Sequence, residues 1–322
     1  MRKFLLILMV MLPFAVWAQY APSRNGSDAI HCDSPTIVGW ATSCVVERGP
    51  QQITNPSLGT ASYGVDNDGT GKADNMLVSL GDGGNAVVTF ASPICNEEGP
   101  DFAVFENAFE SAQVPGMHFL ELAFVEVSSD GINYFRIPSL TEVPYDTQIG
   151  GFGCIDPSLL HNFAGRDDTY YGTPFDLDDL EDNPLLDKMS ITHVRIVDVV
   201  GCINPEYATY DSEGHTVNDP WPTPFASSGF DLDAVAVIHD LAHYDGMNDY
   251  HHVTVSIYPN PTSNVLCVKA DGLKSVEIFD LVGQRVVSET SSEFSISQLS
   301  QGVYFVRVTA GEQQFVQKII KK

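Results

Sequence analysis

Apolar residues in this chain fall in short runs bounded by glycine, proline and aspartate. Residues 86–90 (AVVTF) and 101–105 (DFAVF) are nearly continuous apolar runs, whereas residues 120–128 (LELAFVEVS) largely alternate apolar and polar positions. Both patterns are typical of β-strands, and Asp130 and Gly131, directly after the alternating run, predict a hairpin turn. This part of the chain is therefore expected to consist of strands.

Two later runs, residues 192–200 (THVRIVDVV) and 230–238 (FDLDAVAVI), have the same character, and helical periodicity is limited to a weak DLDDL stretch at 176–180. We therefore expect an all-β protein: a large jelly-roll-like β-sandwich followed by a small C-terminal β-sandwich. The long connections at 140–189 and 201–229 are rich in Pro, Gly and Asp. Loops of this length in a compact domain usually carry function.

The last stretch, residues 256–322, has a pattern of its own. It contains SVEIFDLVGQRVV and LSQGVYFVRV, and it ends on the basic sequence QKIIKK. A module of this size lies near the lower limit for an independent hydrophobic core. The two glycines of these runs are expected to mark hairpin turns. The stretch also begins with a YPNP segment, and the residues singled out in it are Tyr258, Pro259, Asn260, Pro261, Gly283 and Gly302.

The order and spacing of these segments closely resemble the type A C-terminal sorting domain of type IX secretion cargo in Bacteroidetes. That resemblance implies that the type IX secretion machinery is a partner and carries the chain across the outer membrane. It also implies removal of the domain and attachment to the surface as the usual outcome. We therefore expect a secreted protein at the outer cell surface.

The N-terminus agrees with export. Arg2 and Lys3 precede an apolar run at 4–16, and Ala18 stands before Gln19, which is the pattern of a secretory signal peptide. A retained N-terminal anchor is the alternative, but the run falls short of the roughly 20 apolar residues that a membrane span needs. No transmembrane segment is expected in the mature chain.

We therefore divide the chain into a signal peptide at residues 1–18, a β-sandwich ligand-binding domain at 19–240, a linker at 241–255 and the sorting domain at 256–322. Residues 19–255 contain seven basic and 36 acidic residues, a formal charge of −29. Coulomb repulsion excludes nucleic acid and anionic membranes as partners. The charge suits divalent cations, or simply a soluble surface protein.

The central domain resembles a family of uncharacterised bacterial cell-surface proteins. Its hairpin at 125–137 and its strand at 192–199 also resemble galactose-binding-like and discoidin-like jelly-roll modules. Relatives of this kind can sit beside outer-membrane transporter and corrinoid-uptake components, so the resemblance implies an outer-membrane transporter as a partner. The segments that carry the family resemblance are FENAF (105–109), ELAFVEVSSDG (121–131), YGTPFDL (171–177), VRIVDVVG (194–201), DPWPTPF (219–225) and GFDLDAVAVI (229–238).

The six cysteines of an exported chain are free to oxidise and allow 15 pairings. We favour bridges between Cys32 and Cys44 and between Cys154 and Cys202. Cys267 alternates with two apolar neighbours that are expected to point inward, which predicts an exposed free thiol. The absence of C-x-x-C pairs argues against a zinc site.

The segment GVDNDGTGKADN resembles the calcium loops of thrombospondin type 3 repeats, with Asp66, Asp68 and Asp74 as the metal ligands. Oxygen ligands around a glycine-permitted turn suit a hard cation. Gly64 replaces the usual first acidic residue, however, and Lys72 adds a repulsive ammonium. A solvated Asp/Asn/Gly turn without metal is the alternative. Calcium is the one cofactor expected.

Several acids and amides lie beside aromatic residues at predicted strand ends. They allow a structural calcium site, loop anchors, a ligand pocket or a glycosidase carboxylate pair, and structural roles are favoured for most. These residues are Glu106, Asn107, Asp176, Asp198, Asp219, Asp231 and Asp233. Taken with the aromatics below, the predicted ligand-binding residues are Glu106, Asn107, Tyr171, Asp176, Trp221 and Asp231.

Aromatic residues in the long loops, Tyr170, Tyr171, Phe175, Trp221 and Phe225, are candidates to stack on sugar rings or flat macrocycles. Local packing of the loops is the alternative and is favoured slightly. A pair of histidines with i, i+4 spacing at 239 and 243 offers a metal site, but a polar linker is the better interpretation.

The sequence contains neither H-E-x-x-H nor G-x-S-x-G. It therefore predicts a non-catalytic binding protein for a glycan or a corrinoid-like ligand rather than an enzyme. The alternatives are a calcium-stabilised structural or adhesion protein of the surface and, third, a carbohydrate-active hydrolase.

Overall fold

The computed structural model describes residues 26–244, 255–270, 272–310 and 313–322. The chain divides into two compact units between Tyr244 and Asp245. The predicted signal peptide and most of the predicted linker lie outside the described residues. Within the described ranges, no helix is long and apolar enough to cross a membrane.

The first unit is built from short strands. Its helical segments are single 3₁₀ turns at Pro56–Leu58, Asp66–Gly69, Pro157–Leu159 and Leu177–Asp179. The strands are β1 (Ile30–His31), β2 (Gly39–Trp40), β3 (Ser43–Glu47), β4 (Val78–Ser79), β5 (Asn85–Ile94), β6 (Phe102–Phe105), β7 (Phe109–Glu110), β8 (His118–Phe119), β9 (Ala123–Ser128), β10 (Phe135–Arg136), β11 (Leu140–Thr141), β12 (Leu160–His161), β13 (Tyr171–Phe175), β14 (Ile191–Asp198), β15 (Asp231–Leu232) and β16 (Ala234–Val237).

Two five-stranded sheets form the body of this unit, in the orders β1-β13-β6-β16-β2 and β10-β9-β14-β5-β3. Their ladders are antiparallel, and apart from the β9–β10 hairpin the strands of these two sheets from β5 to β16 alternate between them along the chain, as in jelly-roll sandwiches. The prediction of an all-β sandwich is confirmed.

The core lies between the two sheets. Val104 and Val235 of the first sheet meet Val88, Val125 and Ile196 of the second, and none of these side chains is more than 1% exposed. Successive side chains of a strand point to opposite faces, and the period-two pattern of β14 buries mainly one of its faces. The central strands β6, β9 and β16 are buried on both faces, where further apolar clusters pack on the outer sides of the sheets.

The outer face of the second sheet carries charged side chains that pair with one another. Glu126 of β9 accepts hydrogen bonds from Arg136 Nη2 at 2.9 Å and from Arg195 Nε at 2.6 Å. Arg195 lies opposite Glu126 in the ladder between β14 and β9. Opposite charges on facing residues of neighbouring strands stabilise the register.

Two predicted segments differ from the structure. The connection predicted at 140–189 contains β11, β12 and β13, whose prolines and polar residues obscured the strand pattern. The apolar run predicted at 230–238 is interrupted at Asp233, so that β15 pairs with β4 and β16 pairs with β6. The Asp233 carboxylate accepts hydrogen bonds from the backbone amides of Asp74 and Asn75 at 3.2 Å, which ties a loop to this break.

The predicted disulfides are not formed, since all six cysteines are free thiols. Cys32 packs into the apolar cluster of Phe105 and Ala234 on the outer face of the first sheet. Cys44, in β3 of the second sheet, packs instead against the core between the sheets, so the two thiols lie in different clusters.

The second proposed bridge is likewise not formed, since Cys154 and Cys202 are both free. The backbone next to Cys154 pairs with His118 of β8, and the backbone next to Cys202 bonds to the Gln148 side chain, so the two cysteines lie in segments with different partners.

The second unit is a small β-sandwich made of a three-stranded sheet, β17-β18-β21, and a four-stranded sheet, β20-β19-β22-β23. Leu266, Val276, Ile278, Val306 and Ile319 are fully buried between them. Its strands are β17 (Ser256–Tyr258), β18 (Val265–Lys269), β19 (Leu273–Phe279), β20 (Arg285–Glu289), β21 (Glu293–Ser295), β22 (Gly302–Ala310) and β23 (Gln313–Lys321).

Turn predictions in this unit are met in part. Gly283 has φ +84° in the turn between β19 and β20, a conformation that glycine adopts without strain. Gly302 instead begins β22 and is not a turn residue. Cys267 stands between the buried Leu266 and Val268, as expected, but it is half-buried rather than exposed.

Candidate functional site

A group of buried carboxylates lies at one end of the first unit. Sheet pairing brings the end of β14 beside the starts of β9 and β5, and the end of β6 beside the start of β16. The acids sit at these strand ends and in the adjoining loops, and none is more than 7% exposed. The acid cluster consists of Asp82, Glu106, Glu121, Asp198, Asp219 and Asp231.

No cation compensates this charge within the described residues. No Lys, Arg or His there forms an ion pair with a member of the acid cluster. Burial raises the pKa of Glu106, Glu121, Asp198 and Asp219 well above the usual range, and neighbouring carboxylates add to the rise for all four. Burial likewise raises the pKa of Asp231 to about 6. Ionisation of the group is therefore unfavourable without a bound cation.

Some of these carboxylates anchor loops. Asp198 accepts hydrogen bonds from the Gly83 amide at 2.8 Å and the Phe230 amide at 2.7 Å. Asp219 accepts one from the Leu122 amide at 3.1 Å through Oδ2. Loop anchoring was one of the roles that the sequence left open for Asp198 and Asp219.

Other oxygens of the acid cluster have no partner in the described structure. Glu121 is only 7% exposed, yet its carboxylate accepts no hydrogen bond from the described residues. Glu106 Oε2 accepts the Ala108 amide at 2.6 Å, but the buried Oε1 has no partner. Buried oxygens without partners are rare in folded proteins and call for an explanation.

Part of the acid cluster encloses a small cavity of about 10 Å³. Asp82, Glu121, Asp198 and Asp219 line it together with Trp221. The Trp221 Nε1–H donates a hydrogen bond to Asp82 Oδ2 at 3.0 Å. The cavity has room for about one water-sized particle.

An exposed aromatic surface adjoins this cavity, formed by Phe152, Phe225 and Trp221. The rings of Phe152 and Phe225 have centroids 5.9 Å apart, and the two residues are 80% and 46% exposed. The Trp221 amide donates to the Ile149 carbonyl at 3.0 Å, which holds the two loops together. Phenyl rings in this arrangement are available to a ligand from solvent.

The structure brings together some of the predicted ligand-binding residues. Asn107 Nδ2 lies 3.4 Å from Asp231 Oδ2, and the Asp231 charge contributes to the raised pKa of Glu106. Trp221 is joined to the same acid cluster by its hydrogen bond to Asp82. These residues belong to one end of the unit.

Asp176 lies elsewhere. It follows β13 and accepts a hydrogen bond from the Asp178 amide at 2.8 Å, capping a short turn. Tyr171, at the other end of β13, packs edge-on against the His31 ring. A strand of this length separates the two positions by about 17 Å. Among the other aromatics, Phe175 is buried in the core.

The acids of the predicted calcium loop do not converge. Asp66, Asp68 and Asp74 accept hydrogen bonds from three different backbone amides, at 3.3, 2.9 and 2.9 Å. Calcium binding by this loop stays a prediction.

Within the described ranges, ligand atoms of three metal-binding residues lie within 4.8 Å of one another only at His31, Cys32 and Asp33. Asp33 is already paired with Lys72, and burial raises the pKa of the Cys32 thiol. This trio is therefore a poor metal site, because a bound metal requires the thiolate.

The two histidines at i, i+4 have separate partners. His239 Nδ1 lies 2.9 Å from Asp101 Oδ1, and His243 Nδ1 lies 2.7 Å from Asp240 Oδ1. The sequence pattern does not produce a shared histidine face here. His251 and His252 lie outside the described residues.

Three residues of the site were not singled out in the sequence. Glu121 lies inside the apolar pattern LELAF, and Asp82 lies in the glycine-rich GDGG, where a turn explains an aspartate. Phe152 stands between glycines in GGFG, a context that favours an exposed side chain. An acid inside an apolar strand pattern was the one usable signal.

Comparison with known proteins identifies the second unit. Residues 256–322 match the family model described as "Secretion system C-terminal sorting domain". This domain marks proteins that the type IX system secretes and that are displayed on the cell surface or released from it. The chain is therefore a secreted protein of the cell surface, as expected from its sequence.

The remaining comparisons add no assignment. No curated protein matches the chain. Similar solved structures include a biofilm-associated protein BSP domain, at 13% identity over 74% of this chain and 48% of that chain, with a TM-score of 0.20. A β-glucuronidase of Faecalibacterium prausnitzii is 12% identical over 92% of this chain and 47% of that chain, with a TM-score of 0.20. A β-glucuronidase of Ruminococcus gnavus is 10% identical over 94% of this chain and 46% of that chain, with a TM-score of 0.19. The chain spans about half the length of these structures, and scores this low carry no argument.

Proposed function

We propose that this secreted surface protein captures a ligand at the aromatic surface formed by Phe152, Phe225 and Trp221. The ligand is expected to offer a flat apolar face, as a glycan or a corrinoid-like macrocycle does. The observation that carries the proposal is the pair of exposed phenyl rings, 5.9 Å apart, on loops of the first unit. Aromatic rings without a core to cover are suited to stacking on rings of a ligand.

The loops under this surface are held in place, which favours binding. Gln148 Nε2 donates to the Gly201 carbonyl at 2.9 Å, and Asn218 Nδ2 donates to the carbonyls of Pro144 and Thr147 at 2.8 and 2.9 Å. A surface that is ordered before the ligand arrives loses less conformational entropy on binding.

The charge of the region narrows the class of ligand. A formal charge of −29 between residues 19 and 255 repels polyanions, so neutral sugars and corrinoids are favoured over nucleic acid. An outer-membrane transporter stays a proposed partner, since a surface capture protein gains from delivering its ligand to one.

Capture is favoured over hydrolysis by the burial of the candidate acids. A glycosidase needs two carboxylates that face the substrate. Glu106 and Asp231 are 1% and 5% exposed and accept hydrogen bonds from groups of the protein itself. The acid cluster also favours a second candidate function, a calcium-stabilised structural or adhesion protein that binds no small ligand.

The test is a binding screen of the purified chain against polysaccharides and cobalamin, followed through tryptophan fluorescence. Saturable binding that falls at least tenfold in Phe152→Ala and Phe225→Ala is the expected result. Phe109→Ala is the matched control, because Phe109 is 56% exposed and stacks on Phe119 at 5.4 Å elsewhere on the same unit.

Two outcomes contradict the proposal. One is the absence of saturable binding to every member of the panel, which moves the assignment to the structural protein. The other is equal weakening by Phe109→Ala, which places binding away from Phe152 and Phe225.

A further inference from the structure

We propose that the cavity lined by Asp82, Glu121, Asp198 and Asp219 binds one calcium ion. The cavity measures about 10 Å³, so a single ion fits and an organic ligand does not. This proposal is independent of ligand capture at the aromatic surface, and it concerns a place other than the loop with Asp66 and Asp68.

Charge is the first argument. Several carboxylates line one small cavity, and within the described residues no Lys, Arg or His pairs with any of them. Buried carboxylates are normally paired, hydrogen-bonded or bound to metal. Asp82, Asp198 and Asp219 each accept hydrogen bonds from backbone or indole N–H groups, but these donors are neutral and leave the charge of the cavity without a compensating cation.

Unsatisfied oxygens are the second, independent argument. Glu121 is 7% exposed, lines the cavity and accepts no hydrogen bond within the described structure. Among the described residues, the Asp219 carboxylate accepts one hydrogen bond, through Oδ2, and Oδ1 has no protein donor there. A cation supplies the partner that both oxygens lack.

The ligand atoms that line the cavity indicate which metal it would bind. No His or Cys lines the cavity, which disfavours zinc and copper and leaves hard cations that prefer oxygen. Calcium accepts six to eight oxygens in flexible geometry, whereas magnesium demands a near-ideal octahedron. An irregular set of carboxylates from separate loops therefore suits calcium better.

The carboxylates must move slightly to coordinate one ion. No three of them have oxygens that all lie within 4.8 Å of one another, since among the described residues only His31, Cys32 and Asp33 meet that condition. No hydrogen bond from the described residues holds the Glu121 carboxylate, so it is the side chain expected to rotate towards the ion. Water and backbone carbonyls are expected to complete the shell.

Terbium luminescence tests the position of the ion. Tb³⁺ substitutes for Ca²⁺, and the Trp221 indole that lines the cavity is expected to sensitise its emission in the EDTA-dialysed full chain. Added Ca²⁺ should quench that emission by competition. Trp221→Phe should lose most of the emission and keep the Ca²⁺-dependent rise in the melting temperature, about 5–10 °C at a hundredfold excess over Kd.

Matched carboxylate variants test the ligands. Glu121→Gln and Asp219→Asn keep shape and remove one charge each, and each should weaken Ca²⁺ binding in calorimetric titrations at least tenfold. Asp66→Asn and Asp68→Asn are the controls, because they remove charge from the other loop and should leave this affinity unchanged.

Three results overturn the proposal. The first is a wild-type chain whose melting temperature does not respond to Ca²⁺. That result is expected if the cavity holds only water and the acids are protonated. The second is full terbium emission in Trp221→Phe. The third is a loss of Ca²⁺ affinity in the control variants but not in Glu121→Gln, which does not remove a hydrogen bond and should therefore fold.

Discussion

Asp101 illustrates what burial does to a single carboxylate in this protein. It is fully buried and accepts hydrogen bonds from the amides of Glu97 and Leu177, both at 2.9 Å. Its Oδ1 also lies 2.9 Å from His239 Nδ1. Burial still raises the pKa of Asp101 to about 6, because loss of water outweighs these bonds.

This shift predicts a pH dependence of stability. The folded carboxyl holds its proton to about pH 6, whereas the unfolded one releases it near about pH 3.9. The folded state therefore binds more protons between these values, and stability falls as the pH rises from about 4 to about 6. In Asp101→Asn, the loss of unfolding free energy over this pH range should be smaller than in wild type by on the order of 1–3 kcal/mol.

Denaturant unfolding at several pH values measures the effect. Other ionisable side chains lie near Asp101, among them His239 and Asp176, so the difference between wild type and Asp101→Asn is the quantity to compare. Identical slopes for the two proteins would contradict the assignment.

At the scale of elements, strand ends are joined by carboxylates that reach into neighbouring loops. Gly229 stands just before β15 with φ +70°, and a Cβ there would lie 2.6 Å from Asp198 Oδ1 and 2.8 Å from the Gly81 carbonyl carbon. The position therefore needs glycine both for its backbone conformation and for the close approach of Asp198.

Gly229→Ala should destabilise the first unit by about 2–4 kcal/mol, because strain from the positive φ adds to a steric clash. Gly214→Ala is the control, since Gly214 has φ +88° but open space around it. It should cost only about 1–2 kcal/mol. Equal losses in chemical denaturation would show that the contact with Asp198 contributes nothing.

Asn260 joins the YPNP segment to the last strand of the second unit. Its Nδ2 donates to the Lys318 carbonyl at 2.9 Å, and its Oδ1 accepts the Ile320 amide at 3.0 Å. The side chain therefore extends the edge of β23 in the way that another strand would. This contact explains why an asparagine occurs in the motif.

Asn260→Ala should lower the stability of the second unit by about 1–2 kcal/mol, because two hydrogen bonds are lost. Asn260→Asp keeps the acceptor and loses the donor, so its melting temperature should fall between those of wild type and Asn260→Ala. The expectation fails if Asn260→Ala melts like wild type.

For the whole molecule, the division into two compact units separates the sorting domain from the unit to which we assign ligand capture. A chain that lacks residues 256–322 should accumulate behind the outer membrane and should not be cleaved by protease added to intact cells. Its first unit should keep the melting temperature that it has in the full chain, since each unit has its own core. Surface display of the truncated chain at the level of the intact protein would contradict this.

Much of the fold was predictable because it depends on local pattern. The period of two in β14 specified a strand with one buried face, and the alternating run of β9 with its DG turn specified the hairpin to β10. The sequence did not show that β9 is buried on both faces. The strand β13 was missed because proline and glycine within YGTPF hide its pattern. Its place beside β6 is stabilised by core packing of Phe175 on Phe102, which no local rule reveals.

The sequence by itself determined the all-β class, the acidic charge and the secretion tail, because these depend on composition and on residues close along the chain. Only the tertiary structure decided which acids share a cavity. Asp82, Glu121, Asp198 and Asp219 are far apart in sequence and meet because antiparallel pairing places their strand ends at one end of the sandwich. The contact between Phe152 and Phe225 arises in the same way, from loops that meet only after the sheets have formed.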